Sequence, residues 1–117
     1  MKREQLETFR TSLLEKRNSL LERVRAARSA ETAKDDSKAS DLGDRALDAI
    51  NREILYELTI SERDLVRRID MALERVEKGT FGACVNCAKP IQSARLEALP
   101  WARHCIECQE LQDRGEL

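Results

Sequence analysis

The stretch from Asp44 to Gly79, DRALDAINREILYELTISERDLVRRIDMALERVEKG, decides the architecture. Gly and Pro are absent from Asp44 to Lys78, and Leu47, Ile50, Ile54, Leu58, Leu65, Ile69, Ala72 and Val76 recur at threes, fours and one seven. That spacing puts them on one face of a helix. Gly79, directly after Lys78, is a helix stop. One uninterrupted helix of roughly 50 Å is expected, at about 1.5 Å per residue. Upstream, Lys2 to Arg28 also lacks Gly and Pro, and Leu6, Phe9, Leu13, Leu20, Val24 and Ala27 form a second stripe that Leu14 and Leu21 widen. Residues 29–43, SAETAKDDSKASDLG, are short and polar and read as a connecting tip, although Glu31 to Lys34 are also compatible with a longer first helix. Two helices with one apolar stripe each bury those stripes against one another or against a second chain. Polar residues interrupt the seams at Lys16, Arg17, Ser61 and Glu62, which favours an antiparallel intramolecular hairpin over a long oligomeric coiled coil.

The remaining composition agrees with a slender, mainly helical chain. Of the 117 residues 37% are charged, and Phe9, Tyr56, Phe81 and Trp101 are the only aromatics, so a thick core of stacked rings is not expected. Lys and Arg number 21 against 22 Asp and Glu, a balance without the positive field of a non-specific DNA coater or a basic membrane binder. It points to a protein partner instead. Charge is uneven along the chain: residues 1–30 carry eight bases and four acids, residues 31–50 three bases and six acids. No apolar run approaches the roughly 20 residues that span a bilayer, and Met1-Lys2-Arg3-Glu4 leads into no signal-like apolar segment, so a soluble cytoplasmic monomer is expected. No internal repeat is visible.

All four Cys, both Pro, the one His and the one Trp fall within 81–108. Residues 81–117 therefore read as a zinc-finger module with a short final helix, and residues 1–80 as a coiled-coil hairpin with an acidic tip near 35–46. Cys84-Val85-Asn86-Cys87 and Cys105-Ile106-Glu107-Cys108 are two C-x2-C pairs seventeen residues apart, a four-thiolate zinc spacing. Four thiolates complete a tetrahedron about Zn²⁺ and leave no place for water or substrate, so one structural Zn²⁺ is expected. A thioredoxin-like redox pair needs one C-x-x-C beside a βαβ unit, and no strand pattern occurs here. His104 is expected at the surface or behind the thiolates, and Phe81 and Trp101 as cover for the module.

Asp41-Leu42-Gly43-Asp44-Arg45-Ala46 opens the second helix and supports two readings. Ser40 or Asp41 caps the helix while Asp44 sits at its positive end. Alternatively, two carboxylates three residues apart share one face at the tip, where they reach toward a partner's metal ions. Arg63, Arg67, Arg68 and Arg75 are candidates for partner contact on a face that is more ordinarily solvated.

Together, Asp41-x-x-Asp44-x-Ala46, Phe81-Gly82-x-Cys84-x-x-Cys87, Arg95-Leu96-Glu97-Ala98-x-Pro100 and Cys105-Ile106-x-Cys108 resemble the DksA/TraR family of bacterial RNA polymerase regulators. The resemblance covers most of the chain. It implies a coiled-coil hairpin on a globular zinc-finger end, with the tip residues Asp41, Asp44 and Ala46 entering the polymerase secondary channel. It implies a regulator of promoter-complex lifetime that is not itself an enzyme and does not read DNA directly. In members that respond to guanosine tetraphosphate, basic residues hold its phosphates at positions matching Arg68, Leu99 and Gln109, of which only Arg68 is basic here. Alarmone dependence is therefore expected to be weak. Two further departures stand out: Leu42 replaces a frequent Pro at the tip, and Ala88 follows the second Cys where the family usually has Gly, so that turn is expected to be strained or differently closed. Two other functions fit the same residues: a transcript-cleavage accessory like the Gre factors, with tip carboxylates recruiting Mg²⁺, or a zinc-ribbon nucleic-acid binder.

Overall fold

The computed structural model describes the backbone of residues 1–32 and 44–117 and the side chains of residues 1–26, 49 and 52–117. Helices α1 (Arg3–Thr32), α2 (Asp44–Glu57), α3 (Ile60–Lys78), α4 (Ser93–Ala98) and α5 (Ile106–Asp113) follow in order. The β contact among the described residues is a single antiparallel bridge between Ala83 and Pro90. The fold is mainly α, a coiled-coil hairpin with a C-terminal four-cysteine finger and a short last helix, the class that the two stripes and the Cys spacing imply. No helix among the described residues is long and apolar enough to cross a membrane.

The chain divides into two compact units, residues 16–66 and residues 1–15 with 67–117. In the first, Leu21, Val24, Ile54, Leu58 and Val66 form a buried cluster flanked by Leu20 and Leu55. Each such side chain contributes roughly 1.5–3 kcal/mol when fully withdrawn from water. In the second, Leu13, Ile69, Ala72 and Val76 are buried, and Phe9 of α1 meets Phe81 at 5.4 Å between ring centroids, tilted by 46°. That pair ties the start of the finger to the N-terminal helix.

The expected single helix over 44–78 is in fact two, broken at Leu58–Thr59. The cause is local and chemical. Thr59 Oγ1 accepts the Glu62 N–H at 3.1 Å, and a Glu62 carboxylate oxygen accepts the Thr59 N–H at 3.2 Å. This is a reciprocal capping box, which starts a new helix at Ile60. Arg63 Nη2 donates to the carbonyls of Tyr56 and Leu58 at 3.1 and 3.3 Å, satisfying acceptors that the ending helix leaves open. Its guanidinium also lies 5.5 Å from the Tyr56 ring centroid. Arg23 of α1 then grips both Glu62 oxygens at 2.8 and 2.7 Å.

Just after the break one buried position shifts by a residue, while Ile69, Ala72 and Val76 keep the expected stripe. Val66, absent from the expected stripe, is buried, and Leu65 is only partly so. Leu14 is 41% exposed and does not widen the α1 stripe as expected; Leu21 does. Farther along, α3 stops as expected at Gly79, whose φ of 77° suits glycine. Thr80 N–H reaches the Arg75 carbonyl and Gly79 N–H that of Val76, the paired bonds of a Schellman turn.

Thr59→Ala removes the cap and is expected to lower stability by about 0.5–2 kcal/mol in denaturant melts. Its signature is faster amide exchange at Ile60–Arg63. The Glu62 carboxyl is held below its ordinary 4.5 first by the Arg23 side chain and then by Thr59. A lowered acid stabilises the fold above its ordinary value, and that contribution fades as pH falls through the lowered one. Protection of these amides, taken relative to their intrinsic exchange rate at each pH, should therefore fall in acid in the parent chain and stay flat in Glu62→Gln.

Candidate metal centre

The finger is assembled by short backbone hydrogen bonds rather than by a large core. Cys84 N–H donates to the Lys89 carbonyl at 2.8 Å, Ile91 N–H to Gly82 at 2.8 Å and Val85 N–H to Arg103 at 2.9 Å. These bonds fold the first knuckle back on itself and dock it on the loop before the second. The Ala88 N–H closes the first knuckle on the Cys84 carbonyl at 2.9 Å, and Ala88 does so at a φ of 63°. The strained turn expected from Ala in place of Gly is present. Gly82 suits its φ of 87°; a Cβ there would stand 2.8 Å from Met1 Cε, the movable end of an exposed side chain, so the backbone and not the space selects glycine.

The second knuckle begins a helix. Cys105 is the N-cap of α5, and its Sγ accepts the Cys108 N–H at 3.4 Å. Gln92 Oε1 accepts the Ile106 N–H at 3.3 Å, while Arg95 Nε holds the His104 carbonyl at 3.0 Å and Arg95 Nη2 reaches Gln109 Oε1 at 3.4 Å. Helix α4 thereby fixes the loop that delivers Cys105.

The sulfurs of Cys84, Cys87, Cys105 and Cys108 all lie within 4.8 Å of one another. A zinc tetrathiolate with bonds of about 2.3 Å has tetrahedral edges of about 3.8 Å, and Cys87 Sγ to Cys105 Sγ measures 3.8 Å. The donor set fits Zn²⁺ by number, softness and spacing. Cys84, Cys105 and Cys108 are buried and Cys87 is exposed. Burial pushes the Cys84 thiol up, but N–H groups of Cys87, Cys105 and Asn86 overcome it and bring its pKa down to about 6. For Cys108 the Asn86 side chain pulls downward, yet burial and the three neighbouring sulfurs outweigh it and raise the pKa to about 12. Metal binding therefore expels protons from the metal-free cluster, and affinity falls in acid. His104 is buried rather than superficial and is not one of the clustered ligands. Burial, then Arg103 and Arg95, hold its pKa below the ordinary value.

Beside the finger, a cleft of about 280 Å³ is lined by Arg68, Arg95, Arg103, Leu99, Trp101 and Gln109, among others. The three positions matched to alarmone contacts thus face one cavity, together with two arginines that the match did not include. Asp41 lies outside the described residues, and Asp44 and Ala46 fall in the first turn of α2.

The family model for the prokaryotic dksA/traR C4-type zinc finger matches residues 79–114. The RNA polymerase-binding transcription factor DksA of Caulobacter vibrioides is 38% identical over 112 residues, 96% of this chain and 78% of that protein. The chain belongs to the DksA/TraR family. Its structure is similar to that of the transcription factor DksA2 from Pseudomonas aeruginosa, with a TM-score of 0.67 and 34% identity over 99% of this chain and 88% of the other. It is similar also to the RNA polymerase binding protein and transcriptional regulator Dks from Chlamydia trachomatis L2, at 0.62 and 27% over 100% and 96%. The four clustered cysteines are those of the C4 zinc finger, and one zinc ion is the DksA/TraR cofactor they hold.

Sequence patterning passed over Asn86 and the Thr59–Glu62 box. The box was legible as T-x-x-E; Asn86 carried no signal beyond lying between two ligands. Ala88→Gly relieves the left-handed turn and is expected to stabilise the zinc-loaded chain by about 1 kcal/mol, read as a raised Tm with unchanged zinc content.

Proposed function

We propose that this chain is a bacterial transcription regulator that binds RNA polymerase directly and carries out no catalysis of its own. The carrying observation is its likeness, across 96% of its length, to a protein named as an RNA polymerase-binding transcription factor. In this reading residues 81–117 are the zinc-bearing module, with Cys84, Cys87, Cys105 and Cys108 as the ligands. Residues 1–80 are the hairpin, whose tip near 35–46 enters the secondary channel. Two packed helices, each about 10–12 Å across, suit a narrow passage. A carboxylate carried there acts on nearby Mg²⁺ or phosphate by charge alone, without a pocket of its own. Asp44 is the principal tip residue, Asp41 assists it, and the small Ala46 permits close approach. The protein acts in the cytoplasm as a monomer, and its formal net charge of −1 supports contact with protein rather than with DNA alone.

The test is binding to purified bacterial RNA polymerase together with the lifetime of promoter complexes. Asp44→Asn keeps the side-chain volume and removes the charge. It is expected to bind polymerase within about twofold of the parent and to lose most of the effect on promoter-complex lifetime. Because a charge at a helix end contributes roughly 0.3–1 kcal/mol, helicity and Tm are measured alongside. A folded variant that regulates like the parent returns Asp44 to a capping role, and cleavage of a backtracked transcript would instead assign the chain to cleavage assistance.

Alarmone contact through Arg68 belongs to the same reading. Leu99 and Gln109 cannot supply charge-assisted bonds to phosphate, so guanosine tetraphosphate is expected to change this protein's effect by less than about twofold. Transcription with polymerase lacking its other alarmone sites measures this. Strong synergy would instead assign phosphate contact to Arg95 and Arg103, which line the same cleft.

A further inference from the structure

A zinc tetrathiolate carries four negative sulfurs on a doubly positive ion, so its excess charge has to be dispersed by N–H donors around the sulfurs. One donor here comes from the backbone. Cys105 Sγ takes the Cys108 N–H. Cys108 is served differently: Asn86 Nδ2 donates to its sulfur at 3.4 Å across a separation of 22 residues. A thiolate only accepts, so the amide must present its NH₂ and not its oxygen to that sulfur. Asn86 therefore bridges the two halves of the site: it lies in the chain between Cys84 and Cys87, and its side chain bonds Cys108 of the second knuckle.

We propose that Asn86 is a positioning residue of the zinc site, its side-chain amide reaching from the first knuckle to Cys108 of the second, locking the two around the metal and drawing charge off the Cys108 sulfur. The proposal rests on the zinc-finger reading and concerns how tightly zinc is kept. Loss of the amide leaves Cys108 with more charge and one fewer restraint. Groups that hydrogen-bond metal ligands commonly contribute about 10–100-fold in metal affinity.

The experiment uses the full chain, with Asn86→Ala to delete the donor and Asn86→Asp to replace it, at nearly equal volume, by a carboxylate that repels the sulfur. Zinc affinity is read by competition with a chromophoric chelator, and the Co²⁺-loaded proteins give the sulfur-to-metal charge-transfer band. Asn86→Ala is expected to weaken zinc binding by about 10-fold and Asn86→Asp by more, with the band moving to lower energy in both, because a thiolate without its hydrogen bond gives up charge more readily. Affinities within about twofold of the parent overturn the proposal. So does weakened binding with an unmoved band, which marks a packing effect. Zinc content of the parent is measured first: a parent without zinc contradicts the finger itself, whereas a parent with zinc and indifferent variants contradicts only the role of Asn86.

Discussion

Four thiolates drawn onto one divalent ion are the constraint on which the C-terminal part of this protein depends. Between Phe81 and Cys108 the apolar side chains withdrawn from water, cysteines aside, are those of Phe81, Ile91, Leu96, Pro100 and Ala102. So small a set cannot offset the entropy of ordering the loops around it. Zinc binding to comparable modules contributes roughly 10–16 kcal/mol, a term large enough to tolerate local strain. Ala88 held at a positive φ is such a strain; without a metal to close the knuckle, an alanine there would more readily relax.

The helical part solves a different problem by a different route. Its seam carries polar residues, and burying them unpaired would cost more than the packing returns. At Ser61 and Glu62 the chain does not bury them; it ends one helix and begins another. Glu62 is spent on the Thr59 cap and on Arg23, and Arg63 closes the carbonyls behind. The break leaves Tyr56 and Ile60 74% and 84% exposed. The interruption that argued against an extended coiled coil is thus the place where the helix is divided.

Much of this was legible in the residues. Apolar periodicity marked Leu13, Leu21, Val24, Ile54, Leu58, Ile69, Ala72 and Val76, all of them buried, because a repeat near 3.6 survives any detail of packing. The C-x2-C pairs named the metal ligands because coordination chemistry permits few alternatives at that spacing. The break at Leu58–Thr59 was missed because its cause is a hydrogen-bonded detail, a four-residue box inside a run that propensity alone would keep helical. Val66 was missed with it, since the step from Leu58 across the break presumed an unbroken turn; from Ile69 onward the buried positions are the expected ones. The cleft shared by Arg68, Arg95 and Arg103 was invisible for another reason: it joins α3 to the finger across the chain, and no local pattern encodes such a meeting.

Function follows from the division of labour between these parts. A metal-locked module supplies a defined surface at modest length, and the paired helices supply a second, metal-independent body. Family membership attaches that arrangement to transcription, and the account stands first on the metal that holds the module in shape. The most direct measurement is a pair of heteronuclear NMR spectra of the full chain, zinc-loaded and zinc-stripped, with zinc content and sulfur coordination determined by X-ray absorption. One zinc per chain with four sulfur neighbours is predicted, and on stripping, the dispersed signals of residues 81–108 collapse while those of Leu21, Ile54 and Val66 persist. A water or nitrogen in the coordination shell, or a finger whose signals survive the loss of zinc, would contradict it.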